Sequence, residues 1–205
     1  MEKVVITGST GFIGRHLAKA LFVNGFEVVP WQRGNTYTNV ARVYHLAAPS
    51  SNDYIHNNPL YVMDTILDVT REALKIAPDA LFINASSMGA LEIADTPQGA
   101  YNVAKRCMEV YIRNSGVNHI NYRLPSVYGE DMHKDGFIAR CVNGTAYAPT
   151  EPDKVHYIAH VADVVDAMVT LKPLVMEAIT LGQIYELFNS GRRGLYRPAP
   201  NKGTI

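Results

Sequence analysis

The sequence predicts an α/β fold: a doubly wound parallel sheet with helices on both faces, lacking one strand on one side, and a small C-terminal portion after it. Three observations carry this. A glycine-rich turn, Thr7-Gly8-Ser9-Thr10-Gly11-Phe12-Ile13-Gly14, follows the apolar run Val4-Val5-Ile6 and opens a segment with apolar residues at near-helical spacing. Strand-like and helical stretches then alternate up to about residue 123. Lastly, the next strand-like run, Arg42-Val43-Tyr44-His45-Leu46, begins only eight residues after Gly34. A doubly wound sheet places a helix, a strand and a second helix in this interval. Eight residues at about 3.3 Å each reach roughly 26 Å, enough to cross one strand and run back along the sheet, so a strand and its helices are missing.

The first strand, turn and helix form a cradle for a dinucleotide pyrophosphate. Glycines permit the tight turn and close approach of the phosphates, and the helix N-terminus offers unpaired N–H groups and a favourable dipole. Asn24-Gly25 closes that helix, and Phe26 to Trp31 reads as the second strand. Pro30 has no N–H and suits a strand end or a sheet edge. Gln32-Arg33-Gly34-Asn35 turns the chain. After the third strand, Ala47-Ala48-Pro49-Ser50-Ser51 is a loop, and Asn58-Pro59 opens a helix to about Ile76. Ala80 to Ala85 is a buried-type strand ending in Ser86-Ser87. Ala100 to Asn114 is a helix stopped by Ser115-Gly116. Val117 to Tyr122 is a strand with Arg123 to Gly129 as its exit loop. Beyond it, Phe137 to Val142 and Asp163 to Leu171 read as helices, and Val155 to Ala159 and Gln183 to Phe188 as strands. We divide the chain into a dinucleotide-binding part, 1–130, a small substrate-binding portion interleaved with it, 131–190, and a mobile tail, 191–205.

Composition narrows the function class. With 205 residues, 47% hydrophobic and 19% charged, the chain can build one sizeable core. Its 19 basic and 19 acidic residues cancel, which argues against nucleic acid as the main partner. Cys107 and Cys141 lie far apart and away from any histidine-rich spacing, so they read as free thiols and not as a disulfide or metal site. Met1-Glu2-Lys3 leads straight into a strand, and no apolar run reaches membrane-spanning length. The expectation is a soluble cytoplasmic protein.

Tyr101 and Lys105 lie four apart and share one face of their helix. A tyrosine hydroxyl titrates near 10, too high for a base at neutral pH. A nearby ammonium, with a nicotinamide cation, favours the phenolate and lowers that value. A serine at the end of the adjacent strand can hydrogen-bond the reacting oxygen. Tyr101 then takes the proton from a hydroxyl as hydride leaves the same carbon, or donates it in reverse.

With these residues in hand, the chain resembles the short-chain dehydrogenase/reductase superfamily, in its extended branch of nucleotide-sugar epimerases and dehydratases. The matching pieces are Thr7 to Gly14, Tyr44-His45-Leu46-Ala47-Ala48, Ser86-Ser87, Tyr101-x-x-x-Lys105, Arg123-Leu124-Pro125-Ser126-Val127-Tyr128-Gly129, and His156 to Val164. The resemblance implies a Rossmann-like fold and Ser87, Tyr101 and Lys105 as the catalytic set, with Ser86 competing for the serine role. It places Gly8, Thr10, Gly11, Phe12, Ile13 and Gly14 at the pyrophosphate and Leu46, Ala47 and Ala48 along the cofactor. Lys105 also holds the nicotinamide ribose, and the backbone from Pro125 to Val127 holds the carboxamide. A homodimer through the helix of Tyr101 is implied as well, with Met108 and Tyr111 as core or dimer contacts.

Departures from the family pattern refine this. The acidic residue that binds the adenosine ribose in NAD-using members is here Gln32, followed by Arg33, which suits the 2′-phosphate of NADP, with NAD the other possibility. Arg15 offers a second charge. Dehydratases and decarboxylases carry carboxylates just after the catalytic serine or threonine, where this chain has Met88 and Gly89, with Glu92 and Asp95 as substitutes. Ala47 to Ser51 and Met132 to Gly136 resemble the sugar-acid decarboxylases and keep that chemistry open. Lys134, Arg140, Lys154 and His156 are candidates for a substrate diphosphate. The expected activity is an NAD(P)-dependent epimerase or reductase of a nucleotide sugar, with dehydration or decarboxylation, and dinucleotide binding without catalysis, as alternatives.

Overall fold

The computed structural model describes residues 1–92 and 96–189, so the tail at 191–205 lies outside the described residues. Five parallel strands form the main sheet: β1 (Lys3–Thr7), β2 (Glu27–Pro30), β3 (Val40–His45), β4 (Leu81–Ser87) and β5 (His119–Leu124), in the order β2-β1-β3-β4-β5. The chain leaves edge strand β2 and crosses back over β1 to pair on its other side, so no strand lies beyond β2 among the described residues. Pro30 fits that edge. Glu27 and Trp31 donate their N–H groups to Glu2 and Ile6 of the β1 side, so the alternate positions 28 and 30 face outwards. At position 30 the outward edge therefore has no donor to leave unpaired.

Alternation along the strands sends side chains to two apolar layers. Val4, Ile6, Tyr44, Ile83 and Tyr122 meet Leu17 and Leu21 of α1 (Phe12–Val23) and Val164 and Met168 of α6 (Val161–Thr170). Val5, Val43 and Phe82 meet Val62 and Ile66 of α3 (Pro59–Ala73) and Ala104, Met108 and Ile112 of α4 (Pro97–Asn114). Met108 is thus core, whereas Tyr111 is 45% exposed on the outer face of α4.

Three sequence expectations are corrected. A short helix, α2 (Asn52–Asn57), precedes α3, because Ser51 Oγ accepts from Tyr54 N–H and caps it. The exit segment after β5 contains a strand, β6 (Ser126–Tyr128), in a second sheet with β7 (Val155–His160) and β8 (Glu177–Thr180). Its partner lies some thirty residues away, a pairing that no local pattern announces. The segment 183–188 is not a strand but part of α7 (Leu181–Asn189), preceded by β8. Leu181, Ile184, Leu187 and Phe188 all reach one cluster with Ile158, Ile179 and Ile138 of α5 (Phe137–Val142), a helical spacing misread as strand.

Candidate active site

The glycine turn is held by contacts that only glycine allows. Gly8 has φ +70°, and a Cβ there would lie 2.8 Å from Ala47 N. A Cβ on Gly14 would lie 2.1 Å from Gly8 O. The turn therefore packs directly on the exit of β3 and on the start of α1. α1 begins on Gly11, which has no side chain to cap it, so its first-turn N–H groups face the turn. A pyrophosphate fits this cradle. Arg15 donates to Thr10 O at 2.8 Å and stands 4.0 Å from Asp131, which ties its guanidinium to the turn and the segment beyond β6.

A buried relay links the turn to Leu46, Ala47 and Ala48. Thr7 Oγ1 accepts from Leu46 N–H at 3.2 Å and Ala47 N–H at 3.1 Å, and so donates its own hydrogen to His45 Nδ1 at 2.9 Å. His45 Nε2 donates to Thr70 Oγ1 at 3.1 Å, and that hydroxyl donates to Ile66 O at 2.7 Å. Burial, and next the charge of Lys105, push the His45 imidazole down to about 3, so it is neutral. Thr7 and Thr70 carry no sequence signal for this role. His45 appears in a recognisable segment, but its partners come from another strand and from a helix.

Tyr101 and Lys105 share one face of α4, whose start is fixed by Pro97 and by Thr96 Oγ1 accepting from Gly99 N–H at 3.0 Å. Lys105 is buried and donates to Ala85 O of β4 at 3.0 Å, with Nζ 5.7 Å from the Tyr101 ring centroid. Burial pushes Lys105 down to about 8, partly offset by the Glu109 carboxylate. Part of Tyr101 reaches solvent, yet burial pushes its phenol up to about 12. The expected lowering of Tyr101 by Lys105 is therefore not met in this state. The ammonium is aimed at a carbonyl, and desolvation of the phenolate is what shifts Tyr101.

Ser86 and Ser87 separate clearly. Ser86 is buried and donates to Glu109 Oε1 at 2.6 Å. Ser87 Oγ accepts from Gly89 N–H at 3.1 Å, a bond that leaves its own hydrogen to donate elsewhere. The next residues, Met88–Leu91, form a 3₁₀ turn, and a Cβ at Gly89 would lie 2.3 Å from Asn102 Oδ1. Asn102 thus fills the space where a side chain at 89 would stand. Asp95 lies outside the described residues.

After β2, Gln32 and Arg33 are exposed. The loop after β2 folds on itself: Trp31 Nε1 donates to Asn35 O at 3.3 Å, Gln32 N–H to the Tyr37 hydroxyl at 3.3 Å, and Tyr37 N–H to Ile76 O at 2.9 Å. Trp31 and Tyr37 pack against the α3 layer. The Glu72 carboxyl is held below its usual range by Lys75, with a smaller contribution from Arg33.

Across the site, Pro125 and Val127 flank Ser126, whose Oγ lies 2.7 Å from His156 Nε2. Burial lowers the His156 imidazole, against the opposing influence of Glu92. Arg140 Nη1 donates to Asp135 O at 2.8 Å, and Lys154 pairs with Glu151 at 3.5 Å. Of the four diphosphate candidates, His156 is therefore the one beside Ser126; Lys134 is exposed. Asp135 Oδ2 accepts from Ser51 Oγ at 2.7 Å and Asp53 N–H at 3.4 Å, tying the segment after β6 to the start of α2. Among the described residues no group of side chains could hold a metal ion, and no helix is long and apolar enough to cross a membrane.

Comparison with known proteins agrees with this fold. UDP-glucuronic acid decarboxylase 1 of Xenopus tropicalis is 24% identical, over 83% of this chain and 53% of that protein, and its Danio rerio counterpart is 24% identical, over 83% and 54%. The chain spans about half the length of these curated relatives. Among solved structures, the NAD-dependent NDP-hexosamine 5,6-dehydratase TunA of tunicamycin biosynthesis superposes with a TM-score of 0.73 at 21% identity, over 93% of this chain and 81% of that one. The UDP-glucose 4-epimerase of Thermus thermophilus, in complex with NAD, superposes with a TM-score of 0.70 at 20% identity, over 92% and 82%. A profile of the NAD dependent epimerase/dehydratase family matches residues 4–42 and 37–189. The two matches overlap at residues 37–42, from the end of the β2–β3 connection into β3. On that match, covering most of the described chain, the protein belongs to the NAD dependent epimerase/dehydratase family.

Proposed function

We propose that this chain is an NAD(P)-dependent oxidoreductase or epimerase of a nucleotide-activated sugar, with Ser87, Tyr101 and Lys105 as its catalytic set. The observation that carries the reading is the meeting of α4 with the end of β4. Lys105 is bound to Ala85 O at 3.0 Å, Ser87 stands two residues further along that strand, and Tyr101 lies one turn before Lys105. The nicotinamide dinucleotide, when bound, supplies the hydride acceptor and donor. The remaining work falls to the chain. The first-turn N–H groups of α1 hold the pyrophosphate, and Ser87 donates its hydrogen to the reacting oxygen. Tyr101, protonated at rest, is ready to give a proton, and it becomes a base only with more positive charge beside its ring. Gln32 and Arg33 favour NADP, whereas the epimerase above was solved with NAD. An outer face of α4 bearing Val110 and Tyr111 supports a homodimer, which sedimentation tests directly.

Replacing Tyr101 by Phe should lower turnover about a hundredfold or more and leave dinucleotide affinity within a few-fold. Unchanged turnover refutes the mechanism. If no nucleotide sugar in a broad panel is altered by the parent protein, the chain is a dinucleotide-binding protein instead.

Decarboxylation or dehydration is the second reading, favoured by the decarboxylase relatives. Against it stand Met88 and Gly89 after Ser87, and the packing of Asn102 against Gly89. Incubation with UDP-glucuronic acid separates the two: carbon dioxide release supports decarboxylation, and a 4-epimer detected by NMR supports epimerisation.

A further inference from the structure

Glu109 is a buried carboxylate that no step of the proposed reaction uses. Its side chain is 1% accessible. It accepts from Ser86 Oγ of β4 at 2.6 Å, and from Arg123 of β5 through Nε at 2.9 Å and Nη2 at 2.7 Å. Arg106, on α4 itself, stands 3.6 Å away. A bidentate arginine with a further hydroxyl is the arrangement that keeps a buried carboxylate ionised. Arg123, Ser86 and Arg106 accordingly hold Glu109 below the usual carboxylate range, against its burial.

The position of this carboxylate on α4 gives it a second consequence. Glu109 is one turn beyond Lys105, so the two project from the same helix face. Its ligand Ser86 immediately precedes Ser87, and its ligand Arg123 stands two residues before Pro125. We propose that Glu109 is a positioning residue for the Tyr101–Lys105 pair, clamping α4 to the ends of β4 and β5 and setting a fixed negative charge one helical turn from the Lys105 ammonium. The other ionisable groups around Lys105 are Tyr101 on its own helix and His45 on β3, both neutral in this state. The neighbouring helix α3 brings Arg71 over the Tyr111 ring, on the exposed outer face of α4. Glu109 is therefore the negative charge that works against the burial of Lys105.

The importance of this for turnover rests on the reading of Tyr101 and Lys105 as catalytic, but its test does not. In the full chain with ¹³C-labelled lysine, the Lys105 ε-carbon resonance is assigned by its loss in Lys105→Arg and titrated with no cofactor or substrate present. Glu109→Gln keeps the shape and removes the charge, and should move the Lys105 midpoint down by about one pH unit. A folded Glu109→Gln with the parent midpoint overturns the inference. If that variant does not fold, Glu109→Gln combined with Arg123→Gln removes the uncompensated charge and is read in the same way. Loss of the fold in both variants leaves Glu109 a folding residue only, and overturns it too. A parent protein inactive on every nucleotide sugar defeats the proposed function without touching this titration.

Discussion

Acid should destabilise this protein through one histidine, and the amount follows from its surroundings. His45 is 2% accessible and neutral, held between the hydroxyls of Thr7 and Thr70. Its imidazole is pushed from 6.5 to about 3. As pH falls through 6.5 the unfolded chain binds a proton that the folded chain refuses until about 3. The contribution of His45 to stability is thus complete above 6.5 and is lost between 6.5 and 3. The slope is about 1.4 kcal/mol per pH unit, or roughly 5 kcal/mol over the whole interval. That rivals the total stability of a small domain. The assay is urea unfolding from pH 7.5 to 4.5, on the parent and on His45→Asn. At neutral pH the variant should be the less stable by about 1–3 kcal/mol, for the lost hydrogen bonds. Below pH 6.5 the gap should close by about 1.4 kcal/mol per unit, because the other titrating groups cancel in the difference. Parallel curves for the two proteins would refute both the neutral imidazole and the relay. The same relay orients the Leu46 and Ala47 N–H groups, and because the folded imidazole stays neutral down to about 3, the folded parent should keep its relay, and the dinucleotide affinity that depends on it, while its stability falls.

Gly14→Ala places a Cβ 2.1 Å from Gly8 O, so strand and helix must part by about 1 Å, costing roughly 1–3 kcal/mol. Thermal melting and NAD titration should both show the damage, whereas Gly25→Ala, with nothing within 4 Å of its Cβ, should keep the parent affinity. Ser86→Ala should cost about 1–3 kcal/mol of stability by taking a hydrogen bond from buried Glu109, while Ser87→Ala should spare stability and reduce turnover. The reverse pattern would exchange their roles. Arg33→Ala should weaken NADP more than NAD in parallel titrations, and equal losses would remove the 2′-phosphate assignment.

The glycine turn, the order of the main-sheet strands along the chain and the missing strand were all legible, because each rests on local spacing or on chain length. Gly14 is required by a contact within one strand–turn–helix unit and Gly8 by the positive φ of the turn, so their pattern is visible in eight residues, although Gly8 also packs on Ala47 across the sheet. Eight residues after Gly34 cannot hold a strand and two helices, whatever the rest of the fold does. Pro30 at the edge belongs to the same class.

The rest depends on pairs that meet only across the fold. Nothing near Ser86 shows that it is bonded to a carboxylate twenty-three residues on, so the distinction between Ser86 and Ser87 had to wait for Glu109. Strand β6 is too short to be recognised without β7 beside it. The helix at 181–189 was hidden because its apolar residues fit either period until a core chose one face. For the same reason burial holds the Tyr101 phenol up in this state, where the sequence expectation counted an ammonium together with a nicotinamide cation. Spacing puts an ammonium one turn away, but the depth of burial that raises the phenol is a property of the packed layers. By itself, then, the sequence determined the glycine turn, the shortened sheet and the candidates for catalysis, all of which follow from short-range geometry. Tertiary structure alone decided which hydroxyl is committed, which charges are buried and in what protonation state the site rests, because desolvation and long-range hydrogen bonds exist only once the layers have packed.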